Sequence, residues 1–413
     1  MILFYILVLT APMPNHPVFE APFAGLTVVK WLGIACCAYA FLRLLTCPRP
    51  PAFLKSHQTR FFLLLFGVAT VSFFTLSDTK GLTFSPMFTY VSYVLLFFTT
   101  ISVVNTYERL HRTLLAMIAG MALASLYVIR EFQVSGGTDL RPGYVTGDSN
   151  YFAACAALVI PIALYFAKMK TSRLQQWFCG VSVVLMLLAF TVASSRGGLV
   201  GLGVVAAYMI VRSGRSRRAA MVTVALLLPM LVFLPASPLS RMLHPNYGDF
   251  LGAQIRRDFW SAGVDMVRKH PVTGIGLGNF TAQSFSTSPG AEGKHGMACN
   301  TFLEIAAELG ILGFLAYCGV LGGALSSAGK LRSEGKRRDD TLLVYAGEAM
   351  QAGLLGFSAA AMFVSAEYQK PFWVIVALTA TVTTLLAQHS PQESSGYNPL
   401  VMPRERCYAT TKV

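Results

Sequence analysis

Apolar residues fall in long, nearly unbroken runs along this chain, separated by short polar stretches. The runs cover Gly25 to Leu42, Phe61 to Leu76, Met87 to Val104, Leu114 to Ile129, Tyr151 to Ala167, Phe178 to Ala193, Leu199 to Val211, Ala219 to Leu234, Phe302 to Leu325, Leu342 to Val364 and Phe372 to Ala387. A bilayer core about 30 Å thick is crossed by about 20 apolar residues in a helix. Inside lipid a helix satisfies all its own backbone N–H and C=O groups. The pattern predicts an all-α, polytopic transmembrane helix bundle of eleven helices. The opening run Ile2 to Thr10 has no basic flank before it and no small-residue cleavage site after it, so a short twelfth helix is expected there rather than a removed signal peptide.

Composition agrees: of 413 residues 54% are hydrophobic and 13% charged, and the mean hydropathy is +0.56. Such values exclude a water-soluble domain of this length. The net charge of +14 is explained by where the basic residues fall. Loops around Arg43 to Arg60, Arg109 and Arg112, Lys168 to Arg173, Arg212 to Arg218 and Lys330 to Arg338 hold most of them, with Arg404, Arg406 and Lys412 in the tail. Basic residues in short loops stay cytoplasmic. The alternate loops, around Lys80, Glu131 to Asn150, Arg196, Pro238 to Cys299 and Glu367 to Lys370, are therefore expected outside. Both termini are cytoplasmic if there are twelve helices. Since topology accounts for the charge and no basic and aromatic binding module accompanies it, no nucleic acid is expected as a partner; membrane lipids are.

Little punctuates the bundle. No internal repeat and no Pro-rich or Ser-rich linker divides it, so residues 1–413 read as a single membrane domain. One long polar break, residues 237–299, is expected as a periplasmic loop with helix-compatible residues at Gln254 to Lys269, and loops of that length are commonly functional. Of the eight cysteines, Cys36, Cys37, Cys155, Cys179 and Cys318 lie in apolar runs, Cys47 and Cys407 in cytoplasmic stretches, and Cys299 alone outside, which leaves no disulfide framework. No Cys-x-x-Cys or His-x-x-x-His spacing points to a metal, and neither a metal nor another cofactor is expected. Gly274-Ile275-Gly276-Leu277-Gly278 follows no strand of a βαβ unit and reads as a turn at the membrane surface.

Chemistry-bearing residues concentrate at the outer membrane edge. Cys299-Asn300-Thr301-Phe302-Leu303-Glu304-Ile305-Ala306-Ala307-Glu308-Leu309-Gly310 opens an apolar helix that carries two carboxylates four residues apart, hence on one face. Ionisable groups in a spanning helix are costly and mark function. Arg196 follows Ser194-Ser195 and precedes Gly197-Gly198, while Arg256 and Arg257 begin Arg256-Arg257-Asp258-Phe259-Trp260. A guanidinium fork suits phosphate oxygens; interfacial snorkelling of Arg196 and a solvated helix face for the pair are the alternatives. Asp148 and Asn150 either cap the helix that follows or bind substrate, and His270, before Pro271, is expected to end a helix.

Taken in order, these segments resemble the O-antigen ligase and polymerase superfamily of bacterial envelope glycosyltransferases. Gly147-Asp148-Ser149-Asn150-Tyr151-Phe152-Ala153 through Pro161 is similar to the family's Asn-bearing helix start, and Ser195-Arg196-Gly197-Gly198 to its Ser-Arg-Gly turn. Arg256 through Trp260, continuing from His270 to Phe280, resembles its series of Arg, Trp, Pro and Gly. The fourth match is the segment from Cys299 to Gly310, in which Glu308 and Gly310 keep the family's spacing but Cys299 stands where a histidine is usual.

The resemblance implies an inverting, metal-independent glycosyltransferase of the bacterial inner membrane with a site facing the periplasm. Its donor would be a glycan on undecaprenyl pyrophosphate, and its acceptor a sugar hydroxyl of the lipid A core. Arg196 and Arg256 would bind and stabilise the departing pyrophosphate, with Arg257, Asn300, Asp148 and Asn150 contacting substrate. The base that takes the acceptor proton is open between Cys299 and His295; Glu308, two to three turns down the helix, is expected to orient an arginine. A polymerase joining lipid-linked repeat units is the near alternative, and a lipid-linked sugar transporter the alternative of another class.

Overall fold

The computed structural model describes residues 1–14, 16, 27–46, 56–76, 80–136, 142, 143, 147–169, 172–212, 221, 239, 243, 247–287 and 296–388. Among these the secondary structure is helical throughout, in thirteen helices: α1 Ile2–Thr10, α2 Val28–Thr46, α3 His57–Leu76, α4 Lys80–Val103, α5 Tyr107–Val134, α6 Ser149–Ala167, α7 Arg173–Ala193, α8 Arg196–Arg212, α9 Tyr247–Lys269, α10 Phe280–Thr287, α11 Thr301–Arg337, α12 Thr341–Ala361 and α13 Lys370–Gln388. The opening run and ten of the eleven others coincide with helices. The remaining run, Ala219 to Leu234, falls outside the described residues apart from residue 221, as do Cys47, Cys407 and the basic tail.

Among the described residues, six helices are long and apolar enough to cross a membrane: α3, residues Ser85–Val103 of α4, α5, α6, α7 and α11. Val28–Leu42 and Lys370–Leu386 are shorter apolar helices. The protein is a multi-pass membrane protein.

Helix α6 is the axis of the bundle. From Phe152 to Phe166 every residue is buried, because α5, α7, α8 and α12 surround it. Lipid gives no hydrophobic reason for helices to associate, so close backbone approach at small residues does that work. Gly353 of α12 comes so near α6 that a Cβ there would lie 2.2 Å from the Leu158 carbonyl oxygen. Helix α11 packs along α3, α12 and α13, and buried Gln58 joins three of these by donating to the Val376 carbonyl (2.7 Å) and the Thr379 hydroxyl (3.0 Å) and accepting from Ser327 (3.3 Å). Every hydrogen-bonding group of that amide placed in an apolar interior thus has a use.

Candidate functional site

The site is built at the end of the bundle where α6, α8 and α11 begin and α12 ends. Helix α11 is broken about a quarter of the way along, at Gly310, which has φ 65° and ψ −168°. A break frees backbone groups that an apolar surrounding cannot hydrate. Here the segment after α9 takes them up. The Ala307 carbonyl accepts from Ile275 N–H (2.9 Å), the Glu308 carbonyl from Gly276 N–H (3.0 Å), and Ile311 N–H donates to the Pro271 carbonyl (2.9 Å). The approach requires glycine on both sides, since a Cβ on Gly310 would lie 2.1 Å from the Val272 oxygen, and one on Gly274, at φ 68°, 2.3 Å from the Glu308 oxygen.

The Glu308 side chain joins the same splice. Its Oε1 accepts from Phe280 N–H (3.1 Å) at the start of α10, and the residue is only 5% exposed. The bond described for this carboxylate thus goes to loop backbone, not to the guanidinium it was expected to orient. Ala262, Met266, Ile275, Phe280, Ala298 and Ala307 form a small apolar cluster of their own beneath this loop, so α9 and the glycine turn rest firmly on α11. Helix α9 ends at Lys269, one residue before His270, where Pro271 disfavours continuation.

Arg256 and Arg257 lie mid-way along α9, Arg256 half-buried and Arg257 exposed. The charge of Arg256 is felt at Cys299. Burial pushes the Cys299 thiol up from its ordinary value, and Arg256 opposes this only in part. Cys299 itself sits at φ 50°, a left-handed conformation uncommon outside glycine. Asn300, next in the chain, caps α11 by accepting from Phe302 N–H (3.0 Å) and Leu303 N–H (3.1 Å).

Two further helix starts are fastened to this corner. Asp148 caps α6 by accepting from Asn150 N–H (2.7 Å), and the Asn150 amide also bonds to Asp148 (2.7 Å). Asn150 Oδ1 accepts from the Ser195 hydroxyl (2.9 Å), and Ser195 Oγ in turn accepts from Gly198 N–H (3.2 Å) in the first turn of α8. Ser194, at φ 54°, turns the chain from α7 into α8, and half-buried Arg196 is the first residue of that helix. Tyr151, after Asn150, donates to Met297 Sδ (3.4 Å), which ties the start of α6 to the strand of chain leading into α11.

Below Cys299 lies a group of buried acids. Glu304 Oε2 accepts from Ala298 N–H (3.2 Å) and from the Ser365 hydroxyl. Thr301 clasps the same 362–369 turn: its N–H and hydroxyl both donate to the Val364 carbonyl (3.2 and 2.9 Å), and its Oγ1 accepts from Ala366 N–H (2.7 Å). Glu367 follows, buried by α4 and α11 side chains. Burial first, and the neighbouring Glu304 second, hold its carboxyl well above the usual carboxylate range.

The structure thus brings Asp148, Asn150, Arg256, Cys299, Asn300 and the start of α8 at Arg196 to one end of the bundle; Arg257 faces solvent, and His295 lies outside the described residues. Tyr151, Ser365 and Glu367 belong to the same corner without having been singled out by pattern. For Glu367 the signal was there in principle, an ionisable residue between two apolar runs. Among the described residues no group of three or more His, Cys, Asp and Glu is arranged to hold a metal ion.

A comparison with curated proteins finds no match. Residues 181–318 match the family described as O-Antigen ligase, a span that takes in the second half of α7, α8 to α10, the arginines at 196 and 256, Cys299 and the spliced break in α11. That match falls on the site's own elements and supports a place for the chain in the O-antigen ligase superfamily.

Proposed function

We propose that this protein is an inverting glycosyltransferase that moves a glycan from undecaprenyl pyrophosphate to a sugar hydroxyl of the lipid A core at the periplasmic face of the inner membrane. The observation that carries this reading is the meeting of the N-terminal ends of α6, α8 and α11 beside Arg196 and Arg256. Helix N-termini present positive dipole ends, which suit phosphate oxygens. Arginine adds a charge that does not titrate and a planar fork of donors.

The chemistry follows from what develops in the transition state. As the anomeric carbon leaves the pyrophosphate, negative charge grows on the departing oxygen, and fixed donors aimed there lower the barrier most. Arg196 and Arg256 serve that role, so the reaction needs no divalent ion. The acceptor enters beside Asp148, Asn150 and Asn300, and Glu308 keeps α10 and the glycine turn in place against the site. Deleting the gene tests the reading. A core without polymer, together with free lipid-linked polymer, is the ligase outcome, whereas a core capped by a single repeat is the outcome for a polymerase and overturns the proposed acceptor.

A further inference from the structure

Glycosyl transfer to a hydroxyl, the proposed reaction on which this inference rests, releases a proton, and the site must take it. Cys299 is poorly suited to the task, because burial pushes its thiol up and leaves it protonated at neutral pH. Immediately beneath it, Glu304 is held through Oε2 by the N–H of the preceding residue, Ala298, and by Ser365.

Glu367 is the anomaly of the corner. It is 2% exposed, yet neither carboxyl oxygen makes a well-formed hydrogen bond, its own N–H and the Thr301 hydroxyl being the donors nearby. The Thr301 hydroxyl beside it is already donated to the Val364 carbonyl. The other side chain within bonding reach is Glu304. Ionised carboxylates only accept, so two of them cannot bond to each other; the contact is a bond only when the pair shares a proton, as neighbouring buried acids do. The groups facing Glu367 from the elements around it do not change this. Tyr90 and Tyr93 of α4, Tyr151 of α6 and Tyr317 of α11 are phenols. Glu308 is a further acid, Tyr368 a further phenol, and Arg256 acts from across Cys299.

We propose that the Glu304–Glu367 carboxyl pair takes the proton released by the acceptor hydroxyl during glycosyl transfer. The acceptor O–H bond breaks and its oxygen bonds to the anomeric carbon. The bond from that carbon to the pyrophosphate breaks, and its electron pair leaves on the pyrophosphate. The proton goes to the pair, which passes from holding one proton to holding two and is later discharged to water.

The test uses the purified full-length protein in lipid nanodiscs, with an undecaprenyl-pyrophosphate glycan and a core-oligosaccharide acceptor. Transfer by the wild type is the control for the functional reading itself; its absence rejects that reading rather than the role of the pair. With transfer established, Glu367→Gln is expected to lower the rate by about a hundredfold, a usual share for general base catalysis, at unchanged abundance and melting temperature or better. Glu304→Gln should act in the same direction, and Glu367→Asp should keep part of the rate. The infrared band of a protonated carboxyl, present in the wild type at neutral pH, should weaken in Glu367→Gln.

Adding Cys299→His to Glu367→Gln should restore the rate by at least about tenfold and move the pH profile toward an imidazole pKa near 6.5. Histidine is among the residues tolerated at positive φ, so this position accepts it. A wild-type rate and pH profile in Glu367→Gln would overturn the proposal. So would a loss that Cys299→His leaves unrepaired, or an undiminished carboxyl band.

Discussion

Gly276 donates its N–H to the carbonyl of Glu308 at 3.0 Å, so the segment after α9 is spliced into the backbone ladder of a membrane helix. The glycine turn and α11 are therefore one rigid unit, and the loop's arginine helix is positioned by a transmembrane element. An alanine at position 310 meets both a backbone conformation essentially restricted to glycine (φ 65°, ψ −168°), costing about 1–3 kcal/mol, and the Val272 oxygen. Gly310→Ala and Gly274→Ala should both lower the melting temperature in detergent and abolish transfer. Gly67→Ala, where a Cβ meets nothing within 4 Å, should leave both unchanged.

Arg196→Ala and Arg256→Ala should each reduce transfer below about a tenth of wild type, since a charge-assisted hydrogen bond is commonly worth about 1.5–3 kcal/mol. Neither arginine belongs to the buried core, so membrane abundance and thermal stability should stay near wild type. Comparing transfer at equal abundance separates lost phosphate contacts from lost packing.

Membrane sidedness is checked by labelling. A cysteine in place of Val272, which is 57% exposed, should react with an impermeant maleimide in intact spheroplasts, and one in place of exposed Lys336 should react only after lysis. Reversed labelling would put the arginines and Cys299 on the cytoplasmic side.

Glu367 also makes a stability prediction with a defined sign. Its carboxyl is raised in the folded protein, so its contribution is full below the unfolded carboxylate pKa of about 4.3 and is lost as pH rises through the higher folded value. Glu367→Gln removes that loss, and its amide can donate to Glu304. The variant should melt at a higher temperature than wild type at neutral pH, with an advantage that widens from acid toward neutral pH and is absent near pH 4. Equal melting curves across that range would remove the basis for an unpartnered acid.

Legibility in the sequence tracked how local each cause was. The run from Tyr151 to Ala167 showed α6 almost residue for residue, and Asp148 marked its start because capping acts within three residues. The turn at Gly274 to Gly278 was readable as a turn. Its bonds to Ala307 and Glu308 were not, since backbone pairing across some thirty residues leaves no periodicity. Glu308 showed its burial by its place in an apolar run but not its bond to Phe280 N–H. Arg256 was legible as a phosphate candidate, while its reach to Cys299 depends on how α9 lies on α11. Glu367 stood out only as an ionisable residue between two apolar runs; its burial depends on the Thr301 clasp, which holds the 362–369 turn against the start of α11.

The central claim is tested most directly by reconstituting the purified protein with a radiolabelled glycan on undecaprenyl pyrophosphate and a core-oligosaccharide acceptor, in the presence of a divalent-ion chelator. Label should move to the acceptor with release of one undecaprenyl pyrophosphate per glycan transferred, and the Arg256→Ala protein should show almost none of this. Label remaining on the lipid with wild type, or equal transfer by wild type and Arg256→Ala, would contradict the account.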